Sequence, residues 1–427
     1  MARSSLKALH RTVRVVTRPL RAARGHTGVT VRAYRGYGSR QELFVIGRVY
    51  KQPGSGPASR GGGLWRDLAD LFRLFLRRGV RDAVLTARFD GTEQELATDS
   101  HGYFRVQMHL PHPPPANRLW HDIEIELCRP TAGVVARGEV FVPPEAARFV
   151  VISDIDDTIM YTGVANKLKM FWRLFLAEAE SRVAFPGVAA LYRAMHHGLS
   201  GDEGNPMLYV SRGPWSIYEM LGEFFQLHGI PPGPLLFLRE WGLTFQHPLP
   251  HRAEDHKLEL IRNMLELYSD LPFVLIGDSG QHDPEIYTQV VQEHPGRVLA
   301  VYIRNVTREP ERRRAIETLA GRVVEAGSSL VLAADSFVMA EHAAEHGLIS
   351  SEALSAILSE RVEQEGECAL KPTRRIEQPS REQTEEAIER GELEEAIEAD
   401  AGEEAPPNVI VESEDESMTD RAEDRRL

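Results

Sequence analysis

The sequence predicts an α/β chain. A doubly wound, mainly parallel sheet over residues 148–350 follows a small antiparallel β-sandwich over 42–147. Three observations carry this. Short runs rich in β-branched and aromatic residues, punctuated by turns, fill the earlier region. Continuous apolar runs alternate with helical stretches in the later one. A basic segment (1–41) and a Glu-rich segment (351–427) flank the two.

The first 41 residues hold ten Lys/Arg and no acid, a charge of +10. Leu6, Leu9, Val13 and Val16 recur there at helical spacing. The segment reads as a basic flexible arm, either attracted to anionic lipid or nucleic acid or simply solvated. From 42 to 147 the runs LFVIGRVY, DAVLTARFDG, ELATDSHGYFRVQMHL, HDIEIELCRP and VARGEVFVPP read as strands, with Asp90-Gly91 and His101-Gly102 as turn signals. Their regular spacing is that of a sandwich. Residues 64–78, LWRDLADLFRLFLRR, break the pattern as an inserted amphipathic helix. Trp65, Leu68, Leu71, Phe72, Phe75 and Leu76 share one stripe, which either packs on its own protein or lies in a lipid interface.

At 148 the texture changes. FVVISDID is an apolar run ending in acids, as a buried parallel strand does, and NPMLYVSRG, LPFVLIGDSG, RVLAVYIRN and SLVLAA repeat it. Helical stretches at 166–181, 186–197, 215–228, 254–268, 283–293 and 309–326 separate these runs, which predicts the doubly wound sheet. Beyond about 350 aromatics disappear. Residues 377–427 carry 19 acids against five Arg, a charge of −14, so 351–427 reads as a linker and disordered acidic tail.

The net charge of −13 therefore sums unlike pieces and identifies no partner. Two cysteines, Cys128 and Cys368, exclude a disulfide framework and point to a reducing, cytoplasmic compartment. No run of about 18 uncharged apolar residues occurs, so no membrane-spanning helix is expected. The first residues lack the uninterrupted apolar stretch of a secretory leader.

Four elements carry chemistry, each where an open α/β sheet places its ligands. Asp154-Ile155-Asp156-Asp157-Thr158 directly follows the strand FVVIS, with Asp154 and Asp156 two apart and able to reach one pocket. Ser211 ends MLYVS, Lys257 opens HKLELIRNML, and Asp278 and Asp283 lie in GDSGQHD after FVLI. Each piece alone is weak, since acids at a strand end are also ordinary turn residues. In this order, within one α/β region, they point to phosphoryl transfer. A carboxylate attacks phosphorus, a second acid protonates the leaving oxygen, and a lysine and a hard cation neutralise the phosphate. The oxygen-only ligand set favours Mg²⁺, and no Cys/His cluster with zinc spacing competes.

These elements resemble motifs one to four of the haloacid dehalogenase superfamily of aspartyl phosphohydrolases. More narrowly, SDIDDTI, YVSRGPW, FFQLHGIPPGPLLFLREWG, HKLELI and IGDSGQHDPEIY resemble the actin-patch-associated phosphatidate phosphatases, relatives of the lipin catalytic domain. The likeness spans roughly 148–310, and a preceding β-rich domain fits it. The resemblance implies Asp154 as nucleophile and Asp156 as general acid and then base. It implies Thr158 as a hydrogen-bonded brace, and Ser211 and Lys257 as phosphate holders. Mg²⁺ would be bound by Asp154, the Asp156 carbonyl oxygen and Asp278, with Asp283 direct or through water. Both motif-one acids are present, as a phosphatase requires. Arg212 departs from the pattern, standing where a small residue is expected. It either meets phosphate or headgroup or points to solvent.

The expected reaction is Mg²⁺-dependent hydrolysis of phosphatidate to diacylglycerol and phosphate through an aspartyl-phosphate. Only about 50 residues separate Thr158 from Ser211, too few for a large cap, and an open site suits phosphatidate or another anionic lipid phosphate. Val164, Leu168, Phe171, Trp172, Phe175 and Leu176, interleaved with Lys167, Lys169 and Arg173, suit peripheral contact with an anionic membrane or pack on the sheet. Trp215 and Trp241 line the same rim or fill the core. Two other readings stand beside this one: the same chemistry on a soluble phosphomonoester, and a non-catalytic lipid-binding or scaffold protein. Nucleic acid is not expected as a partner, because no aromatic-interleaved surface accompanies the arginines. Oligomeric state is left open.

Overall fold

The computed structural model describes residues 23–24, 28–51, 78–155, 185–213, 215–237, 253–307 and 309–370. Residues 1–22 of the expected arm, the inserted helix at 64–77, the segment 164–181, Trp241 and the acidic tail from 371 lie outside the described residues.

Ten strands form the first sheet: β1 (Ala23–Arg24), β2 (Val29–Ala33), β3 (Gly36–Gly38), β4 (Glu42–Lys51), β5 (Arg78–Gly79), β6 (Val84–Phe89), β7 (Thr92–Ala97), β8 (Tyr103–His109), β9 (Trp120–Arg129) and β10 (Val134–Phe141). All pairs are antiparallel except β10 with β3. Alternation decides which face is buried. Leu85, Ala87 and Phe89 of β6 turn inward with Ile123, Ile125 and Leu127 of β9 and Val134, Ala136 and Val140 of β10. Asp90 (φ 45°) and Gly91 (φ 80°) both take the left-handed conformation that a two-residue hairpin between β6 and β7 needs.

This region departs from the expected sandwich. Its strands belong to one hydrogen-bonded sheet around one core. The reason is the length of β4, which pairs with β2 and β3 along one edge and with β5 and β8 along the other. A strand that long joins what would otherwise be two layers. The sheet folds back far enough for Gln107 N–H of β8 to donate to Gln94 Oε1 of β7 at 3.3 Å.

The second sheet is six-stranded and wholly parallel. Along the chain run β11 (Val150–Asp154), α1 (Val188–His197), β12 (Met207–Ser211), a 3₁₀ turn at Trp215–Ile217 and α2 (Tyr218–Leu227). Then come β13 (Leu235–Phe237), α3 (Ala253–Leu267), β14 (Phe273–Asp278), α4 (Asp283–Glu293), β15 (Val298–Arg304), α5 (Pro310–Glu325), β16 (Leu330–Ala333), α6 (Ser336–Glu345) and α7 (Ser351–Leu370). The strand order is β13-β12-β11-β14-β15-β16, a doubly wound order that reverses direction between β11 and β14. One face buries Val151, Tyr209, Ile276 and Tyr302 beneath α1, α2, α6 and α7. The other buries Ile152, Val210, Leu275 and Ile303 beneath α3, α4 and α5. Both faces being covered, the strands read as unbroken apolar runs.

Two segments differ from the sequence expectation. Strands β1, β2 and β3 fall within the stretch read as a basic flexible arm. Arg32 pairs with Glu219, 187 residues away, and Arg35 with Glu139 at 3.3 Å, so charges that looked unbalanced locally are balanced in the fold. The residues expected to begin the linker and tail instead form α7. Its Ile357 is fully buried, Glu360 pairs with Arg193, and Arg361 meets Asp335 at 2.9 Å. Trp215 is core: it stacks on Tyr34 at 4.6 Å and meets Phe237 at 4.7 Å. Among the described residues no helix is long and apolar enough to cross a membrane.

Candidate active site

The reversal of strand order leaves a crevice at the carboxyl ends of β11 and β14, and the chemistry-bearing residues converge there. Asp154 is the last residue of β11, Asp278 the last of β14, and Asp283 the first of α4. Lys257 rises from α3 on the face that buries Ile152 and Val210. Alternation turns Asp154 toward that same face, two residues beyond Ile152. All four side chains are inaccessible to solvent.

Lys257 Nζ lies 3.2 Å from Asp154 Oδ1 and donates to Asp283 Oδ1 at 2.5 Å. Burial opposes the ammonium charge, but Asp154 and Asp283 hold its pKa well above the ordinary lysine value. Its Nζ also stands 5.5 Å from the centre of the Tyr287 ring. The second Asp283 oxygen accepts the Asp278 backbone N–H at 3.3 Å. Asp283 thus ties the lysine to the end of β14.

The loop after β14 is held from several sides. Asp278 Oδ1 accepts the N–H groups of Gly280 at 2.7 Å and Gln281 at 3.0 Å. Ser279 Oγ accepts Val306 N–H at 2.9 Å. Arg312 of α5 donates to the carbonyls of Ser279 at 2.9 Å and Gln281 at 2.5 Å and pairs with Glu285. Sequence reasoning passed over Gln281, although it sits inside GDSGQHD. Its Nε2 donates to Asp278 Oδ2 at 2.8 Å and to Asp154 Oδ2 at 3.2 Å, linking the two carboxylates. It also passed over Ser153, whose Oγ donates to the Asp154 carbonyl at 2.9 Å and lies 2.6 Å from the Tyr192 hydroxyl. No sequence signal marks that pair, which exists only because α1 packs on β11.

Of the expected site residues, the structure brings Asp154, Lys257, Asp278 and Asp283 together. Ser211 ends the neighbouring strand one position beyond Val210, which pairs with Asp154, and its Oγ accepts Gly213 N–H at 3.0 Å. Asp156 and Thr158 lie outside the described residues.

One carboxylate oxygen from each of Asp154, Asp278 and Asp283 falls within 4.8 Å of the other two. Three buried acids against one lysine leave two negative charges in excess, which burial makes costly. An all-oxygen donor set with that excess fits a hard divalent cation such as Mg²⁺.

Gly277 is the tightest point of the arrangement. A Cβ there would meet Asp283 Oδ2 at 2.2 Å and its Cβ at 2.7 Å. Gly277→Ala is expected to push Asp283 off Lys257, weakening cation binding about tenfold or more and lowering the melting temperature by several degrees. Titration of the variant with Mg²⁺, alongside thermal unfolding, checks both.

Residues 149–305 match the family model described as "Phosphatidate phosphatase APP1, catalytic domain". The chain is 35% identical over 154 residues to phosphatidate phosphatase APP1 of Saccharomyces cerevisiae, covering 36% of this chain and 25% of that protein. It is 25% identical over 243 residues to an uncharacterized protein of Schizosaccharomyces pombe, covering 54% of this chain and 39% of that one. The chain thus spans well under half the length of either relative. A carbohydrate acetylesterase from Xanthomonas citri covers 68% of this chain and 72% of its own at 10% identity, but its TM-score of 0.23 carries no argument. The resemblance carried by the five strings is therefore found, and it coincides with the segment that builds the crevice.

Proposed function

We propose that this chain is a Mg²⁺-dependent phosphatase that hydrolyses phosphatidate to diacylglycerol and phosphate, using a haloacid dehalogenase-like site. The observation that carries the reading is the meeting of Asp154, Asp278, Asp283 and Lys257 at the switch point, within the segment that matches a phosphatidate phosphatase catalytic domain. Asp154 attacks phosphorus and the bond to the lipid oxygen breaks, leaving an aspartyl-phosphate. Asp156 gives its proton to the departing diacylglycerol oxygen. It then takes a proton from the water that attacks the aspartyl-phosphate, releasing inorganic phosphate and restoring Asp154. Lys257 neutralises developing charge, while Ser211 and Thr158 hold phosphate oxygens and the motif-one turn. Mg²⁺ would be held by Asp154 and Asp278, with the Asp156 carbonyl and Asp283 beside them, and when bound supplies charge neutralisation at the phosphoryl group.

The test is phosphate release from phosphatidate in mixed micelles beside a panel of water-soluble phosphomonoesters. Phosphatidate is expected to be turned over fastest, and chelation of Mg²⁺ to abolish release. Faster turnover of a soluble phosphate would replace the lipid with that substrate. No release from any of them would leave the non-catalytic lipid-binding reading.

A further inference from the structure

We propose that Arg212 recognises the dianionic phosphoryl group at this site, its guanidinium donating to non-bridging phosphate oxygens beside Ser211 and Lys257. The inference rests on the reading of the crevice as one that takes a phosphomonoester. Arg212 directly follows Ser211, the last residue of β12, and Val210 of that strand pairs with Asp154. Arg212 therefore leaves the carboxyl end of the sheet next to the strand that carries Asp154, toward which α3 delivers Lys257. The loop that follows is tight. A Cβ on Gly213 would meet Ile217 Cδ1 at 2.4 Å and Ser211 Oγ at 3.2 Å.

The Nε and Nη2 of Arg212 are shielded from solvent and have no hydrogen-bond partner among the described residues. Other arginines are engaged through at least one terminal nitrogen, although the Nε of Arg32 and of Arg304 is likewise buried without a partner among the described residues. Arg193 pairs with Glu360, Arg297 donates to the Leu265, Tyr268 and Leu271 carbonyls, and Arg312 pairs with Glu285. Even the nearly fully buried Arg304, its pKa pushed down to about 10 by burial, donates to Ser336 Oγ at 2.8 Å and stacks 4.1 Å from the Phe185 ring centre. Guanidinium donors withdrawn from water without acceptors are costly unless a ligand supplies them.

Charge balance points the same way. Lys257, the one buried lysine among the described residues, is already shared by Asp154 and Asp283, and a divalent cation would only cancel the excess of the three carboxylates. A phosphoryl dianion then needs another positive group. Arginine's planar fork matches two phosphate oxygens at once.

The experiment uses the full chain as wild type, Arg212→Gln and Arg212→Lys. Inorganic phosphate is titrated by calorimetry with Mg²⁺ present. KM and kcat are then measured on phosphatidate in micelles and on a short-chain, water-soluble phosphatidate. Arg212→Gln is expected to weaken phosphate binding about ten- to a hundredfold and to raise KM for both phosphatidates alike. Arg212→Lys should recover part of the loss, and neither variant should melt lower than wild type. Unchanged phosphate affinity in Arg212→Gln overturns the proposal. So does a loss confined to micelles, which would assign the arginine to the lipid surface. A lowered melting temperature with unchanged phosphate affinity would assign it to the fold. Calorimetry needs no turnover: a chain that binds phosphate through Arg212 yet hydrolyses nothing fails the phosphatase reading alone. A wild type that binds no phosphate overturns both.

Discussion

Asp154→Asn is expected to lower phosphate release by about four orders of magnitude while leaving the fold intact. The amide has nearly the shape of the carboxylate but no nucleophilic oxygen, so no aspartyl-phosphate can form. Asp154 also accepts from Gln281 and faces Lys257, and the asparagine carbonyl can keep one of those contacts. One of three crowded buried negative charges disappears. Denaturant unfolding without metal should therefore show stability equal to wild type, with Mg²⁺ adding less to it than to wild type. Phosphate release at the wild-type rate would remove Asp154 from the nucleophile's role.

Lys257→Met should give the largest loss of stability of any single change at the site. Methionine nearly matches the volume of the lysine stem but leaves Asp154 and Asp283 buried without their cation. Removing one partner of a buried ion pair costs about 3–5 kcal/mol, because the remaining charges stay desolvated. The folded pKa of the lysine is raised above its unfolded value, so its contribution is complete below the unfolded value of about 10. The deficit in the variant should thus be present throughout neutral pH. Added Mg²⁺ should restore part of it by supplying positive charge to the same carboxylates, while phosphate release stays below detection. Denaturant midpoints with and without Mg²⁺ measure this. A midpoint within experimental error of wild type would show that the carboxylates do not depend on Lys257.

Much of the site was legible locally. Asp154 and Asp278 each close an apolar run, and an apolar run buried on both faces ends where the chain must meet solvent or ligand. Helices α1 to α5 fall close to the stretches their periodicity predicts, since an amphipathic stripe records which side is covered. Periodicity failed where charge misled it. Arg32 and Arg35 made β2 look like part of a solvated arm, because Glu219 and Glu139 lie far along the chain. The Glu-rich composition likewise hid α7, whose order comes from Ile357 in the core and Glu360 on Arg193.

By itself, then, the order of residues determined the alternation of strands and helices, the acids at the strand ends, and the class of chemistry they support. Those are properties of short windows, set by burial period and by turn chemistry. Only the tertiary structure decided that β11 and β14 are neighbours, that Lys257 sits between Asp154 and Asp283, that Gln281 links two carboxylates, and that Arg212 holds buried donors without partners among the described residues. Each of these joins residues distant in the chain or depends on what surrounds them. Their energies arise from desolvation and charge at a few ångströms, which spacing along the chain does not encode.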